Sequence, residues 1–133
     1  MGSLRLFTPN EQRRALGQRG ERLARRFLAE QGYTIRQANV RFPVGEIDVV
    51  AQEAEVLCFI EIRSASSSRW GGALASITDR KRRRLIRAAR WYLARLSELP
   101  PETRFDVVAI DWGTGAQHTI ELIRAAFTAD ERC

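Results

Sequence analysis

Two β-branched, apolar runs flank a short polar break, and each carries carboxylates in its interior. The first is Gly45-Glu46-Ile47-Asp48-Val49-Val50-Ala51, the break is Gln52-Glu53-Ala54-Glu55, and the second is Val56-Leu57-Cys58-Phe59-Ile60-Glu61-Ile62-Arg63. Val, Ile and Phe suit a pleated, half-buried surface, so both runs read as strands joined by a tight connection. The second run is apolar at almost every position from Val56 to Ile60, the pattern of a strand covered on both faces.

Carboxylates inside such strands need partners or a metal, because desolvating a bare charge is costly. Period-two alternation puts Glu46 and Asp48 on one face of the first strand, and Glu61 and Arg63 on one face of the second. Register decides whether those faces coincide. Pairs whose residue numbers sum to an odd value bring Asp48 and Glu61 together; an even sum separates them. A two-residue turn at Glu53-Ala54 or at Ala54-Glu55 makes the sum odd. Cross-strand neighbours then lie roughly 4.5–5.5 Å apart at Cβ. That is close enough for two carboxylates to share one divalent cation through oxygen ligands.

At 133 residues the chain reads as one domain, residues 10–133, behind a loose arm from Met1 to Pro9. Asn10 is the expected cap of a helix running to about Gln31. Its buried stripe is Leu16, Gly20, Leu23, Ala24, Phe27 and Leu28, with Arg19, Arg22 and Arg26 facing away. Gly17 and Gly20 weaken a helix, which points to a close approach of that helix to the sheet. Glu21 falls at the stripe's edge, about 60° from Ala24. It reads either as a solvated residue or as one reaching the sheet's end. Gly32 ends the helix, Tyr33 to Val40 is a strand, and Arg41-Phe42-Pro43-Val44 leads into the hairpin.

Ser64 to Gly72 is a flexible loop by composition. Within it, Arg69 and Trp70 suit a phosphate contact and stacking, although Trp70 also fits a core-edge aromatic. Thr78 or Ser76 caps a second helix through about Leu96, with the stripe Leu85, Ala89, Tyr92, Leu93 and Leu96. Its first turns carry Arg80, Lys81, Arg82, Arg83, Arg84 and Arg87. Cations there oppose the helix dipole unless phosphates neutralise them; a solvated basic face is the alternative. Lys81, four residues before Leu85, points toward the sheet. Phe105 to Asp111 and Gln117 to Leu122 are strands joined at Gly113-Thr114-Gly115, and Ala125-Ala126-Phe127 reads as a short closing helix. The order α-β-β-β-α-β-β implies an α/β sandwich with helices on a central mixed sheet.

The charge balance is 22 Lys+Arg against 16 Asp+Glu, net +6, and Lys81 is the one lysine. Clustered Arg favours bidentate phosphate contacts and hence a nucleic-acid partner, unless the Arg content only mirrors a GC-rich genome. One histidine, His118, and two cysteines, Cys58 and Cys133, argue against Cys-His or Ser-His-Asp catalysis and against a disulfide framework. With no apolar run long enough to span a membrane and no h-region, a cytoplasmic protein without a membrane partner is expected.

Further segments join the hairpin in one pattern. They are Gly17-Gln18-Arg19-Gly20-Glu21, Gly32-Tyr33-Thr34-Ile35, Asn39-Val40-Arg41, Gly45-Glu46-Ile47-Asp48, Phe59-Ile60-Glu61-Ile62-Arg63, Ile77-Thr78 with Lys81, and Arg104-Phe105-Asp106-Val107-Val108. From about Gly17 to about Ala109 this resembles the YraN family, itself similar to Holliday-junction resolvases of the PD-(D/E)XK nuclease superfamily. The resemblance implies a restriction-endonuclease-like three-layer sandwich and a metal-dependent endonuclease acting on DNA, with branched or structured DNA as a candidate substrate. Asp48 and Glu61 would hold Mg²⁺ or Mn²⁺ with the Ile62 carbonyl, and Glu46 and Glu21 would be accessory. Arg63 stands where the pattern has a lysine. Guanidinium stays protonated and is a poor general base. The alternative is therefore a nucleic-acid-binding module of the same fold that has lost cleavage, and a third reading is a structural ion network in which the carboxylates pair with Arg63 and Arg41. Lys81 is the candidate replacement for the motif lysine, with Arg69, Trp70, Arg80, Arg82, Arg83 and Arg87 as nucleic-acid contacts. A homodimer stays open.

Overall fold

The computed structural model describes residues 8–65, 72–113 and 117–129. The turn at 114–116, Cys133, the arm before Thr8, and Arg69 and Trp70 lie outside them. The chain opens with helix α1 (Pro9–Glu30), capped by Thr8 and not by Asn10. Thr8 Oγ1 accepts from the Glu11 N–H at 3.1 Å while the Thr8 N–H donates to Glu11 Oε2 at 3.0 Å. This reciprocal box outcompetes Asn10, and the fixed φ of Pro9 suits the first helical position.

Strands β1 (Thr34–Phe42), β2 (Gly45–Glu53) and β3 (Val56–Ala65) follow. Then come a short helix α2 (Gly72–Ala75) and α3 (Asp79–Ala94), capped by Thr78. Strands β4 (Glu102–Asp111) and β5 (Thr119–Phe127) finish the fold. Only Pro43 and Val44 separate β1 from β2, so Arg41 and Phe42 belong to the strand and not to a connection. The sheet order is β1-β2-β3-β4-β5, antiparallel except for the parallel pair β3–β4, whose crossover contains α2 and α3. The closing helix expected at Ala125–Phe127 is strand instead. Its Ala125 N–H donates to Asp106 Oδ1 at 2.9 Å, Ala125 takes a left-handed φ of 52°, and the ladder shifts register between Phe105 and Val107. A bond to a buried carboxylate outweighs the helical preference of three residues.

Alternate residues of β3 enter opposite cores. Cys58 and Ile60 pack with Ala24 and Leu28 of α1 and with Val49, Val108 and Ile110. Leu57 and Phe59 pack with Leu85, Ile86 and Ala89 of α3 and with Val50 and Phe105. The protein is a three-layer α/β sandwich, with the sheet between α1 and α3. The α1 stripe matches expectation except at Leu16, which is 38% exposed. Nor do the glycines of α1 serve an obligatory close approach. A Cβ at Gly20 would meet Trp112 at an ordinary 3.5 Å, and one at Gly17 nothing within 4 Å. No helix among the described residues is long and apolar enough to cross a membrane. Cys58 is buried, and burial pushes its thiol up to about 12, so it is inert at neutral pH.

At one end of the sheet Asp106 is fully buried. It accepts from Arg104 Nε at 2.7 Å, Arg104 Nη2 at 2.8 Å, Tyr33 Oη at 2.8 Å and the Ala125 N–H at 2.9 Å. Arg104 also reaches Glu53 at 2.7 Å, and Arg124 holds Glu53 from the other side at 2.6 Å. The network ties β1's entry, β2's end, β4 and β5. Asp106→Ala would leave the partly buried Arg104 with Glu53 alone, and Tyr33 Oη and the Ala125 N–H without their acceptor, and should lower unfolding free energy by about 3 kcal/mol. Urea denaturation of parent and variant measures this, and a loss under 1 kcal/mol would mean that water replaces the carboxylate.

Candidate active site

The hairpin turn is Ala54-Glu55, closed by the pair Glu53↔Val56, with Ala54 at φ 53°. Every β2–β3 pair therefore has the odd sum 109, as in Val49↔Ile60. The same register sets Asp48 opposite Glu61, on the face covered by α3. The ladder stops at Val49↔Ile60, and the Asp48 side chain takes its place: the Ile62 N–H donates to Asp48 Oδ2 at 2.8 Å. This satisfies a backbone donor that the parting strands leave without a ladder partner. The N–H and C=O of one strand residue point to the same edge, so the Ile62 carbonyl faces the Asp48 side as well.

A cavity of about 230 Å³ opens here, lined by Glu46, Asp48, Glu61, Lys81, Arg84 and Leu85. The first turn of α3 supplies its basic wall. Thr78 Oγ1 accepts from the Lys81 N–H at 3.2 Å, which sets the helix start and turns Lys81 inward. Asp79 in that first turn offsets part of the clash between cations and helix dipole. Gly45 lets β2 come this close: a Cβ there would lie 2.9 Å from the Arg84 carbonyl oxygen, a backbone atom that cannot swing aside.

Burial, then the charge of Glu61, pushes the Asp48 carboxyl up to about 8. Glu61 is raised too, by burial, against the opposing pull of Arg63 and Lys81. Ionising either carboxyl makes the other harder to ionise. Lys81 is lowered, first by desolvation and next by Arg63, with Glu61 acting the other way. Arg63 Nη1 lies 3.6 Å from Glu61 Oε1 while its Nε donates to Ser76 Oγ at 2.9 Å. Ser76 Oγ in turn donates to the Ala73 carbonyl at 2.5 Å, so Arg63 is moored to the turn after α2.

The donor set fits a small hard cation. Mg²⁺ is usually bound by one or two carboxylates plus water and substrate oxygens. Asp48 and Glu61 supply two crowded carboxylates whose repulsion a dication would relieve, and the Ile62 carbonyl lies to the same side. Among the described residues no cluster of three or more acidic, His or Cys side chains is suited to a metal ion, so a site here rests on two side chains.

The fold and this geometry accompany a clear kinship. Residues 20–110 match the model of the Uncharacterised protein family UPF0102. The chain belongs to this family. A UPF0102 protein of Desulfosudis oleivorans is 42% identical over 119 residues, covering 90% of this chain and 94% of that one. UPF0102 protein STH1475 of Symbiobacterium thermophilum is 44% identical over 116 residues, covering 87% and 98%. UPF0102 protein HEAR0176 of Herminiimonas arsenicoxydans is 45% identical over 106 residues, covering 80% and 85%.

In this UPF0102 chain Asp48, Glu61, Glu46 and Lys81 converge as the sequence suggests. Glu21 does not join them. It sits on α1, which packs on the opposite face of the sheet, and it does not line the cavity. Its helical phase marked an edge of α1 without saying which face of the sheet α1 would cover. Arg80, Arg83 and Arg87 are exposed along the outer side of α3. Arg82 turns away from the cavity, 3.8 Å from Asp79 and over the Phe127 ring at 5.8 Å. Arg84, read only as one of a basic run, lines the cavity; its place one helical step after Lys81 was the available signal. Exposed His118 packs its ring 5.8 Å from Trp112, as a surface residue.

The unfolded Asp48 carboxyl ionises near 3.8 and the folded one near 8. The folded state therefore holds the extra proton between those values, and its stabilising effect is lost as pH rises toward the upper one. Without divalent cations the urea midpoint should fall as pH climbs from about 4 to about 8. Asp48→Asn should flatten that fall and be the more stable protein at its upper end. Parallel pH curves for parent and variant would show that Asp48 carries no shifted proton.

Proposed function

We propose that this protein is a Mg²⁺- or Mn²⁺-dependent phosphodiesterase acting on DNA. The observation that carries the reading is the juxtaposition of Asp48 and Glu61 on adjacent strands, in one cavity with Lys81. Asp48 and Glu61, with the Ile62 carbonyl, would hold a cation whose chemistry is to polarise a phosphate and make bound water more acidic. Glu46, which also lines the cavity, would orient a water. Lys81 brings a compact ammonium to the cavity, and its lowered proton affinity lets it trade a proton more readily than a guanidinium. Arg63, moored to Ser76, steadies Glu61 and adds positive charge for a phosphate. The motif lysine's task is thus divided between Arg63 and Lys81. The resemblance to PD-(D/E)XK nucleases and the net charge of +6 support the same substrate class.

A DNA-binding module without cleavage is favoured by one observation: the residue at the motif position is an arginine engaged by Ser76. Incubation with branched, flapped, single-stranded and linear DNA in Mg²⁺ or Mn²⁺ separates the readings. Cleavage should occur and vanish in Asp48→Ala and Glu61→Ala. Lys81→Ala should abolish it with DNA affinity nearly intact, and Arg63→Lys should raise it. Absence of cleavage by the parent and by Arg63→Lys on every substrate would leave the binding module. Undiminished cleavage by Lys81→Ala would remove Lys81 from the chemistry.

Binding itself should depend steeply on salt. Replacing Arg80, Arg83 and Arg87 together by Ala should reduce the slope of log K against log salt by roughly 0.9 for each phosphate that is no longer neutralised. An unchanged slope in a salt titration would make the outer side of α3 a merely solvated face.

A further inference from the structure

Trp91, on α3, is 43% exposed, and the other exposed large hydrophobics among the described residues are leucines. Its indole leans on Phe42 at the end of β1, with ring centroids 5.8 Å apart and planes at 46°. Phe42 is itself nearly buried, and Arg95 covers its ring at 4.9 Å. The indole is thus braced on one side and open on the other.

Trp91 follows Arg84 by seven residues, so at 100° per residue the two lie only about 20° apart around α3. Arg84 lines the candidate cavity and also a second hollow of about 290 Å³, bounded by Arg41, Phe42, Pro43, Gly45 and Glu46. The two hollows share Glu46 and Arg84. The hollows are neighbours, and Phe42, against which Trp91 leans, bounds the second. Glu46, between the hollows, lies 3.8 Å from the Arg41 guanidinium, which offsets its charge. From Lys81 to Trp91 is ten residues of helix, or about 15 Å.

Single exposed apolar side chains are ordinary. This one is a braced aromatic beside a hollow that carries Arg41 and Arg84, with exposed Arg87 one turn before it on α3. An arginine-lined track with an aromatic platform is the combination that binds single strands, because any unpaired base has a π-face to stack. Bases within an intact duplex stack on one another and offer Trp91 none. We propose that Trp91 is the stacking platform for an unpaired base, and that the DNA bound here carries a single-stranded segment running from the cavity along α3. This rests on the phosphodiesterase reading for the position of the scissile phosphate, but not for binding beside Trp91. The span of about 15 Å corresponds to roughly four stacked nucleotides at 3.4 Å each, or fewer if the strand is extended.

The test is fluorescence anisotropy in EDTA, where no cleavage intervenes. The probes are a labelled single strand, a blunt duplex of the same sequence, and that duplex with a single-stranded tail. Trp91→Ala should weaken binding to the single strand and the tailed duplex by roughly 5- to 100-fold, the worth of one base–aromatic stack. It should leave the blunt duplex within about 2-fold, and Trp91→Phe should retain most of the parent's affinity. Thermal melting of both variants checks that the fold is kept. Equal affinity of parent and Trp91→Ala for the single strand, or an equal loss on all three probes, overturns the platform and leaves the phosphodiesterase reading standing. Failure of the parent to bind the single strand and the tailed duplex likewise overturns the platform, while cleavage in Mg²⁺ or Mn²⁺ tests the phosphodiesterase reading separately.

Discussion

The two-residue turn at Ala54-Glu55 holds the rest of the structure in place. It fixes the β2–β3 register, and side chains alternate with a period of two. A slip by one residue would exchange the faces of every residue on one strand. Phe59 would leave the α3 core, Ile60 would leave the α1 core, and Glu61 would part from Asp48. The same register that builds both hydrophobic layers therefore assembles the carboxylate pair. Ala54 accepts a left-handed backbone, uncommon outside glycine, to make that turn.

Two aspartates at different places in the sheet, Asp106 fully buried and Asp48 half-buried, behave in opposite ways. Burial alone raises both. Asp106 nevertheless ends below the usual carboxylate range, because Arg104, the Ala125 N–H and Tyr33 all donate to its charged form. Asp48 has the Ile62 N–H on one oxygen but faces a second carboxylate, and ends well above that range. One site is electrostatically complete and stitches four strands. The other is left with a repulsion that a bound cation would relieve. Environment, not residue type, separates a structural carboxylate from a functional candidate.

The basic side chains divide in the same manner. Arg104 and Arg124 are consumed by Glu53 and Asp106. Arg63 is moored to Ser76, and Arg82 turns toward Phe127. Lys81 and Arg84 instead line the candidate cavity, and Arg41, beside Glu46, lines the neighbouring hollow. A count of cations along the chain cannot make that distinction, since it depends on which side of α3 meets β2 and how closely. Gly45 permits that closeness.

By itself the sequence determined the order of the two long helices and five strands, the hairpin, most of both helical stripes and, for either turn considered, the pairing of Asp48 with Glu61. Each of these follows from local periodicity, and either turn considered at Glu53–Glu55 makes the register odd. Kinship over residues 20–110 adds to this. Tertiary structure alone decided the rest. It put Glu21 behind the sheet, because helical phase says which side of α1 is buried but not which face of the sheet it covers. It made Ala125–Phe127 a strand, because a bond to Asp106, nineteen residues away in the chain, outweighs local propensity. It brought Arg84 to Arg41 and Trp91 to Phe42, because their approach depends on the docking of α3 against the β1–β2 hairpin, a long-range contact that no local pattern encodes.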